Sequence, residues 1–242
     1  MGKTRKKPTW WHGPYKRDSC GRHKTLKVTF WNRGPKYEVG DHHALATNNV
    51  STRKRLPIDL LRAEIIAKMH EHPVVVVNGE VGCGKSTRLP QFLLGEYPHC
   101  SAAVGIPRAL PAKSLPRRTA QELGQPLREG VGFSTGRGRR LPSSDAGSTV
   151  YATYLTLWKR LRYGARGLSY CICDEIHERS IEMDMGLFIL RAILEENISE
   201  SRFDFRVVLT SATIDEARLC DYFNAPKSAV IQVPGRCHHV DR

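Results

Sequence analysis

Residues 74–87 read VVVVNGEVGCGKST: four β-branched apolar residues, then a stretch with three glycines that ends in a lysine and two hydroxyls. A run of valines bounded by turn residues fits a strand buried on both faces. The spacing Gly79-x-x-x-x-Gly84-Lys85-Ser86 satisfies the phosphate-loop pattern, between a strand and a helix that starts near Ser86. Glycines let the backbone turn so that successive N–H groups converge on phosphate oxygens at the positive end of that helix. In this geometry Gly79, Glu80, Val81, Gly82, Cys83, Gly84, Lys85, Ser86 and Thr87 cradle a nucleotide. Lys85 reaches the β and γ phosphates, and the Ser86 hydroxyl ligates Mg²⁺. The competing reading is a glycine-rich turn with no ligand.

A phosphate loop alone fits several enzyme classes, and a second stretch separates them. Residues 168–180 read LSYCICDEIHERS, an apolar strand running into Asp174 and Glu175. Strand ends on the carboxyl side of an open α/β sheet are where nucleotides bind. There Asp174 holds Mg²⁺ and Glu175 joins the metal site and polarises the attacking water. His177 and Glu178 follow on the turn, placed to sense the phosphate. An acidic helix N-terminus is the plainer alternative, since carboxylates suit the positive end of the dipole. A third stretch, FRVVLTSATIDEARL (205–219), reads as another buried strand closing in Ser211-Ala212-Thr213. Its small hydroxyl residues can bond the Asp174–His177 turn and couple nucleotide state to movement; the alternative is a helix cap at Thr213 or Asp215.

Around these motifs, strands alternate with helices. Strand runs stand at 101–106, 129–133, 148–152, 168–174, 205–211 and 229–233, besides the valine run, and helical patterns at 58–70, 86–94, 112–123, 154–162, 181–195 and 215–223. Such alternation implies right-handed crossovers and a mostly parallel sheet with helices on both faces, an α/β fold. The segment 136–148, GRGRRLPSSDAGS, reads as a loop.

The 242 residues suffice for one sizeable core. The formal charge of +14 is unevenly placed: residues 1–55 hold 14 Lys and Arg against three acidic residues, and the rest holds 24 against 21. The N-terminal arm, 1–53, thus combines basic residues with Trp10, Trp11, Phe30 and Trp31, the groups that single-stranded nucleic acid needs. A solvated or disordered tail and a nuclear-import signal are its other readings. Seven scattered cysteines fit reduced thiols. No apolar run is long enough for a membrane span, and no signal-peptide core opens the chain, so an intracellular protein, cytoplasmic or nuclear, is expected.

The three motifs in this order resemble the first RecA-like domain of the DEAH/DExH-box RNA helicases of superfamily 2. The similarity runs over about residues 54–240, from KRLPIDLLRAEIIAKMHEHPVVVVNGEVGCGKSTRLPQFLL through DEIHERS and LTSATID to DYF and VPGRCHHV. It implies a RecA-like helicase domain over 54–242 that binds ATP with Mg²⁺, contacts RNA, and works with a second RecA-like domain, in cis or in trans. By the same resemblance Pro107, Arg108 and Thr153 contact RNA backbone and Arg118 stacks on the adenine.

Two segments depart from the family. GIPRALPAKSLPRR replaces an arginine by Ala109 and brings in Pro111 and Pro116, which are expected to interrupt a helix. The TTG contact motif reads Thr153-Tyr154-Leu155. The sequence stops where a second RecA-like domain is expected and lacks the motif that supplies arginine fingers. The chain is therefore read as the catalytic domain of a helicase, or else as a single-domain, ATP-responsive RNA-binding or adaptor protein that does not unwind.

Overall fold

The structure, a computed structural model, describes residues 55–97, 99–143, 147–162, 164–165, 167–199, 205–212 and 216–235, with backbone alone at Tyr15–Arg17, His23–Thr25 and 198–199. Within the basic arm, β1 (Tyr15–Arg17) pairs antiparallel with β2 (His23–Thr25). The arm's tryptophans lie outside the described residues, as does Thr213.

After a 3-10 turn at Pro57–Leu61, the chain runs α1 (Arg62–Glu71), β3 (Val74–Gly79), α2 (Lys85–Glu96), β4 (Ser101–Ile106), α3 (Pro111–Glu122), β5 (Val131–Thr135), β6 (Gly138–Arg140), β7 (Ser148–Thr153), α4 (Tyr154–Leu161), β8 (Tyr170–Cys173), α5 (Ile181–Ser199), β9 (Arg206–Ser211), α6 (Glu216–Phe223) and β10 (Val230–Val233). The strands form one sheet in the order β10-β3-β9-β8-β4-β7-β5-β6, parallel except for β6 against β5.

The period-2 alternation of the strands decides which helix covers which face. Val75 and Val77 of β3, Val104 of β4, Ile172 of β8 and Val208 of β9 share one core with Ile65, Leu89, Phe92 and Ala120 of α1 to α3. Val74, Val76, Ala103, Cys171, Cys173, Val207 and Leu209 share the other with Leu157, Leu190 and Leu219 of α4 to α6. The sheet is therefore mostly parallel with helices on both faces, as a RecA-like domain requires.

Two expectations are corrected. Residues 136–148 are not all loop: Gly138–Arg140 pairs with β5 as a hairpin and forms the sheet's exposed last strand. Nor do the prolines break α3, which runs unbroken over Pro111–Glu122. Pro111 takes the first helical position, where its missing N–H has no partner to lose. Pro116 gives up one intrahelical bond, but it is buried on the same face as Ala112, Thr119 and Ala120, and α3 packs on β5. That packing offsets the lost bond.

Parallel pairing brings the motif-bearing strand ends side by side. Asn78 stands level with Ser211, and Cys173 with Leu209. Gly79, Asp174 and Ser211 thus leave the sheet at one edge.

Candidate nucleotide site

The loop between β3 and α2 is glycine-rich for specific reasons. Gly84 has a φ of 109°, and a Cβ there would lie 2.7 Å from Leu56 Cδ1 and 2.9 Å from Ile58 Cγ2. Both backbone and space therefore demand glycine. The lead-in segment is stitched to the loop, since Ile58 N–H donates to the Cys83 carbonyl at 3.3 Å. Gly84 also starts α2, its carbonyl accepting from Thr87 N–H at 3.3 Å and Arg88 N–H at 2.8 Å. Val81 stands exposed at the loop's tip, while Cys83 and Thr87 are buried.

Lys85 is only 4% exposed. Its ammonium donates to the carbonyls of Gly79 and Glu80, the latter at 3.0 Å, and lies 3.7 Å from Cys83 Sγ. The cation is thus held inside the curve of the loop rather than reaching into solvent.

Asp174, at the end of β8, is 2% exposed. Its N–H donates to the Gly105 carbonyl at 3.0 Å, and its carboxylate accepts from the Thr210 hydroxyl. Burial pushes its pKa above the ordinary 3.8, opposed by hydrogen bonds from the Ser86 and Thr210 hydroxyls and by the Lys85 charge. The Ser86 hydroxyl of the phosphate loop therefore bonds the carboxylate of the second motif, and the Lys85 charge lies near enough to favour its ionised form.

Glu175 follows in the left-handed region, at φ 57° and ψ 43°. This conformation costs a non-glycine residue about 1–2 kcal/mol, and it turns the chain abruptly out of the sheet. Burial, helped by the neighbouring Asp174 charge, pushes the Glu175 carboxyl above its ordinary range, while His177 and Lys85 pull it down. Glu175 Oε2 lies 3.3 Å from His177 Nε2. On the other side of the ring, Nδ1 is 3.4 Å from Ser211 Oγ and accepts from Ala212 N–H at 3.4 Å. A backbone N–H can only donate, which puts the neutral ring's proton on Nε2, facing Glu175. His177 thereby bridges the acidic turn to the start of the third motif.

The remaining expected positions lie around this centre. Arg108, its side chain 73% exposed, pairs with Glu178 at 3.2 Å, joining the segment after β4 to the DEIHERS turn; Pro107 precedes it at the end of β4. Thr153 precedes α4, its hydroxyl 2.9 Å from that of Thr156. Arg118 pairs with Glu122 one turn along α3 at 3.0 Å. Thr210 escaped the sequence reading, though a polar residue inside the apolar run VVLTS marked it.

No family model matches the chain. Among curated proteins, "ATP-dependent RNA helicase DHX30" of Homo sapiens is 37% identical over 189 residues, covering 75% of this chain. Its counterpart in Rattus norvegicus is 36% identical over 189 residues, again 75% of this chain. "Probable ATP-dependent RNA helicase spindle-E" of Aedes aegypti is 37% identical over 179 residues and 72% of this chain. The chain carries a helicase domain of the DEAH/DExH type. The matched part amounts to 15% of the length of each DHX30 protein and 13% of the spindle-E protein. Among the described residues of this helicase domain, no helix is long and apolar enough to cross a membrane.

Proposed function

We propose that this domain binds ATP with Mg²⁺ and hydrolyses it to drive RNA binding or unwinding, together with a second RecA-like domain supplied in cis or in trans. The carrying observation is the Ser86 hydroxyl bonded to the buried Asp174 carboxylate, with the Lys85 charge close by. A carboxylate so desolvated that burial dominates its pKa, with a hydroxyl beside it, is a donor set that suits a hard divalent cation completed by phosphate oxygens and water. Bound Mg–ATP supplies the transferable γ-phosphoryl group and the divalent charge that offsets its oxygens.

The chain's own residues then divide the work. Loop N–H groups and the helix start at Gly84 receive the phosphates, and the Lys85 ammonium exchanges loop carbonyls for phosphate oxygen. Ser86 and Asp174 hold the cation. Glu175 accepts a proton from the attacking water, its raised pKa making it a better base than an exposed glutamate. His177 Nε2–H orients that carboxylate and, through Ala212 and Ser211, carries its state into the third motif. Thr213 belongs to this coupling segment by its sequence. RNA backbone is received at Pro107, Arg108 and Thr153, and the adenine at Arg118.

Lys85→Ala should abolish ATP hydrolysis, whereas Glu175→Gln should retain nucleotide binding and lose turnover by at least about a hundredfold. Both are measured as phosphate release with and without RNA, alongside a thermal melt. Undiminished turnover by the Lys85→Ala protein would refute the proposal. Robust RNA-stimulated turnover by the chain without a partner domain would separate a helicase motor domain from a single-domain, ATP-responsive RNA-binding or adaptor protein.

A further inference from the structure

We propose that Tyr154 is a positioning residue of the metal site, fixing the peptide plane between Asp174 and Glu175; the inference rests on the nucleotide reading above. Tyr154 is the first residue of α4, directly after Thr153, and is 2% exposed. Its hydroxyl donates to the Asp174 carbonyl. That carbonyl shares its plane with the Glu175 N–H, so the bond sets the direction from which Glu175 enters its left-handed turn. The preceding plane is held by Asp174 N–H donating to the Gly105 carbonyl at 3.0 Å. Both sides of Asp174 are therefore pinned, and a strained conformation persists only where its surroundings over-determine it.

The packing is built around this reach. A Cβ on Gly105 would lie 2.4 Å from Tyr154 Cε1, so glycine leaves the ring its place over β4. The ring stacks on Trp158, centroids 5.3 Å apart and planes 12° apart. Gly186 of α5 in turn makes room for that indole, since a Cβ there would lie 2.0 Å from it.

A second tyrosine distinguishes this arrangement from an ordinary satisfied core phenol. Tyr151, three residues earlier on β7, is fully buried, and its hydroxyl donates to the Ser86 carbonyl at 2.9 Å. One short segment thus grips the backbone of both residues that hold the cation, Ser86 through Tyr151 and Asp174 through Tyr154. The Thr153-Tyr154-Leu155 departure from the family pattern thereby acquires a role at the nucleotide.

Tyr154→Phe removes one oxygen and keeps the stack. The assay titrates Mg²⁺ against binding of a fluorescent ATP analogue, with binding in EDTA and a thermal melt measured in parallel. Expected is a Mg²⁺ midpoint at least about threefold higher, with affinity in EDTA unchanged. Leu161→Val, a packing change at the far end of α4, should lower the melting temperature and leave the midpoint where it is. An unmoved midpoint in Tyr154→Phe, or an equal shift in Leu161→Val, overturns the assignment while leaving the nucleotide reading standing. A wild-type protein with no Mg²⁺-dependent nucleotide binding overturns both.

Discussion

At Asp174 the burial cost of a carboxylate outweighs four favourable partners, the Ser86 and Thr210 hydroxyls, the Lys85 charge and the Glu175 backbone N–H, and that imbalance has a measurable sign. Its folded-state pKa lies above the ordinary 3.8, so folding favours the protonated form. Stability from this group is present below 3.8 and is lost as pH rises through the higher folded value. Asp174→Asn should therefore raise the melting temperature of the ligand-free protein at neutral pH. The gain should shrink on acidification toward 3.8, and melts across a pH series check it. Mg²⁺ binding should be lost in the same variant. At Glu175, burial and the neighbouring charge also raise the pKa. The acid limb of the kcat/KM profile, which reports the free enzyme, should accordingly fall above the 4.5 of an ordinary glutamate. A limb at or below 4.5 would remove Glu175 as the base.

At the scale of elements, α2 is tied down by more than its loop. Arg88, 3% exposed, pairs with Asp59 of the lead-in turn at 3.1 Å and with Glu122 of α3 at 2.7 Å. Gln91 donates to the same Glu122 oxygen at 2.8 Å. Arg88→Ala leaves two carboxylates without their shared cation, and breaking a buried pair costs about 3–5 kcal/mol. Glu122 keeps Arg118, and both carboxylates keep some contact with water, so a loss of about 2 kcal/mol in urea unfolding is expected. A loss under about 1 kcal/mol would show that solvent replaces the arginine. Between α4 and α5 the constraint is space. Gly186 sits against the Trp158 indole, which is 4% exposed, and Gly186→Ala forces that ring aside. Overpacking of this kind costs about 1–3 kcal/mol, visible as a lower urea midpoint.

For the whole molecule, the parallel sheet gathers the ends of β3, β8 and β9 at one edge, and a ligand bridging them binds the folded state alone. Mg–ATP at a hundredfold excess over its Kd should stabilise the protein by about 2.7 kcal/mol. The thermal midpoint should rise, and Lys85→Ala should show no rise. The sheet, the phosphate loop, the acidic pair and the third motif were legible in the sequence, because buried strands read as apolar runs and the phosphate pattern depends on spacing along a single stretch. Their chemistry is local to each segment. Other features depended on residues far apart in the chain. Nothing near Tyr154 in sequence announces a bond to Asp174, and Gly186 reads only as a weak point in a helix until Trp158 lies against it. Pro116 looks like a helix breaker until the face that buries it is known, and Gly138–Arg140 looks like loop until β5 offers it a partner. Sequence alone determined most of the elements and the spacing of the three motifs, since these follow from periodicity and short-range backbone geometry. Tertiary structure decided which groups hold those motifs in place, because close approach and burial exist only once the chain has folded.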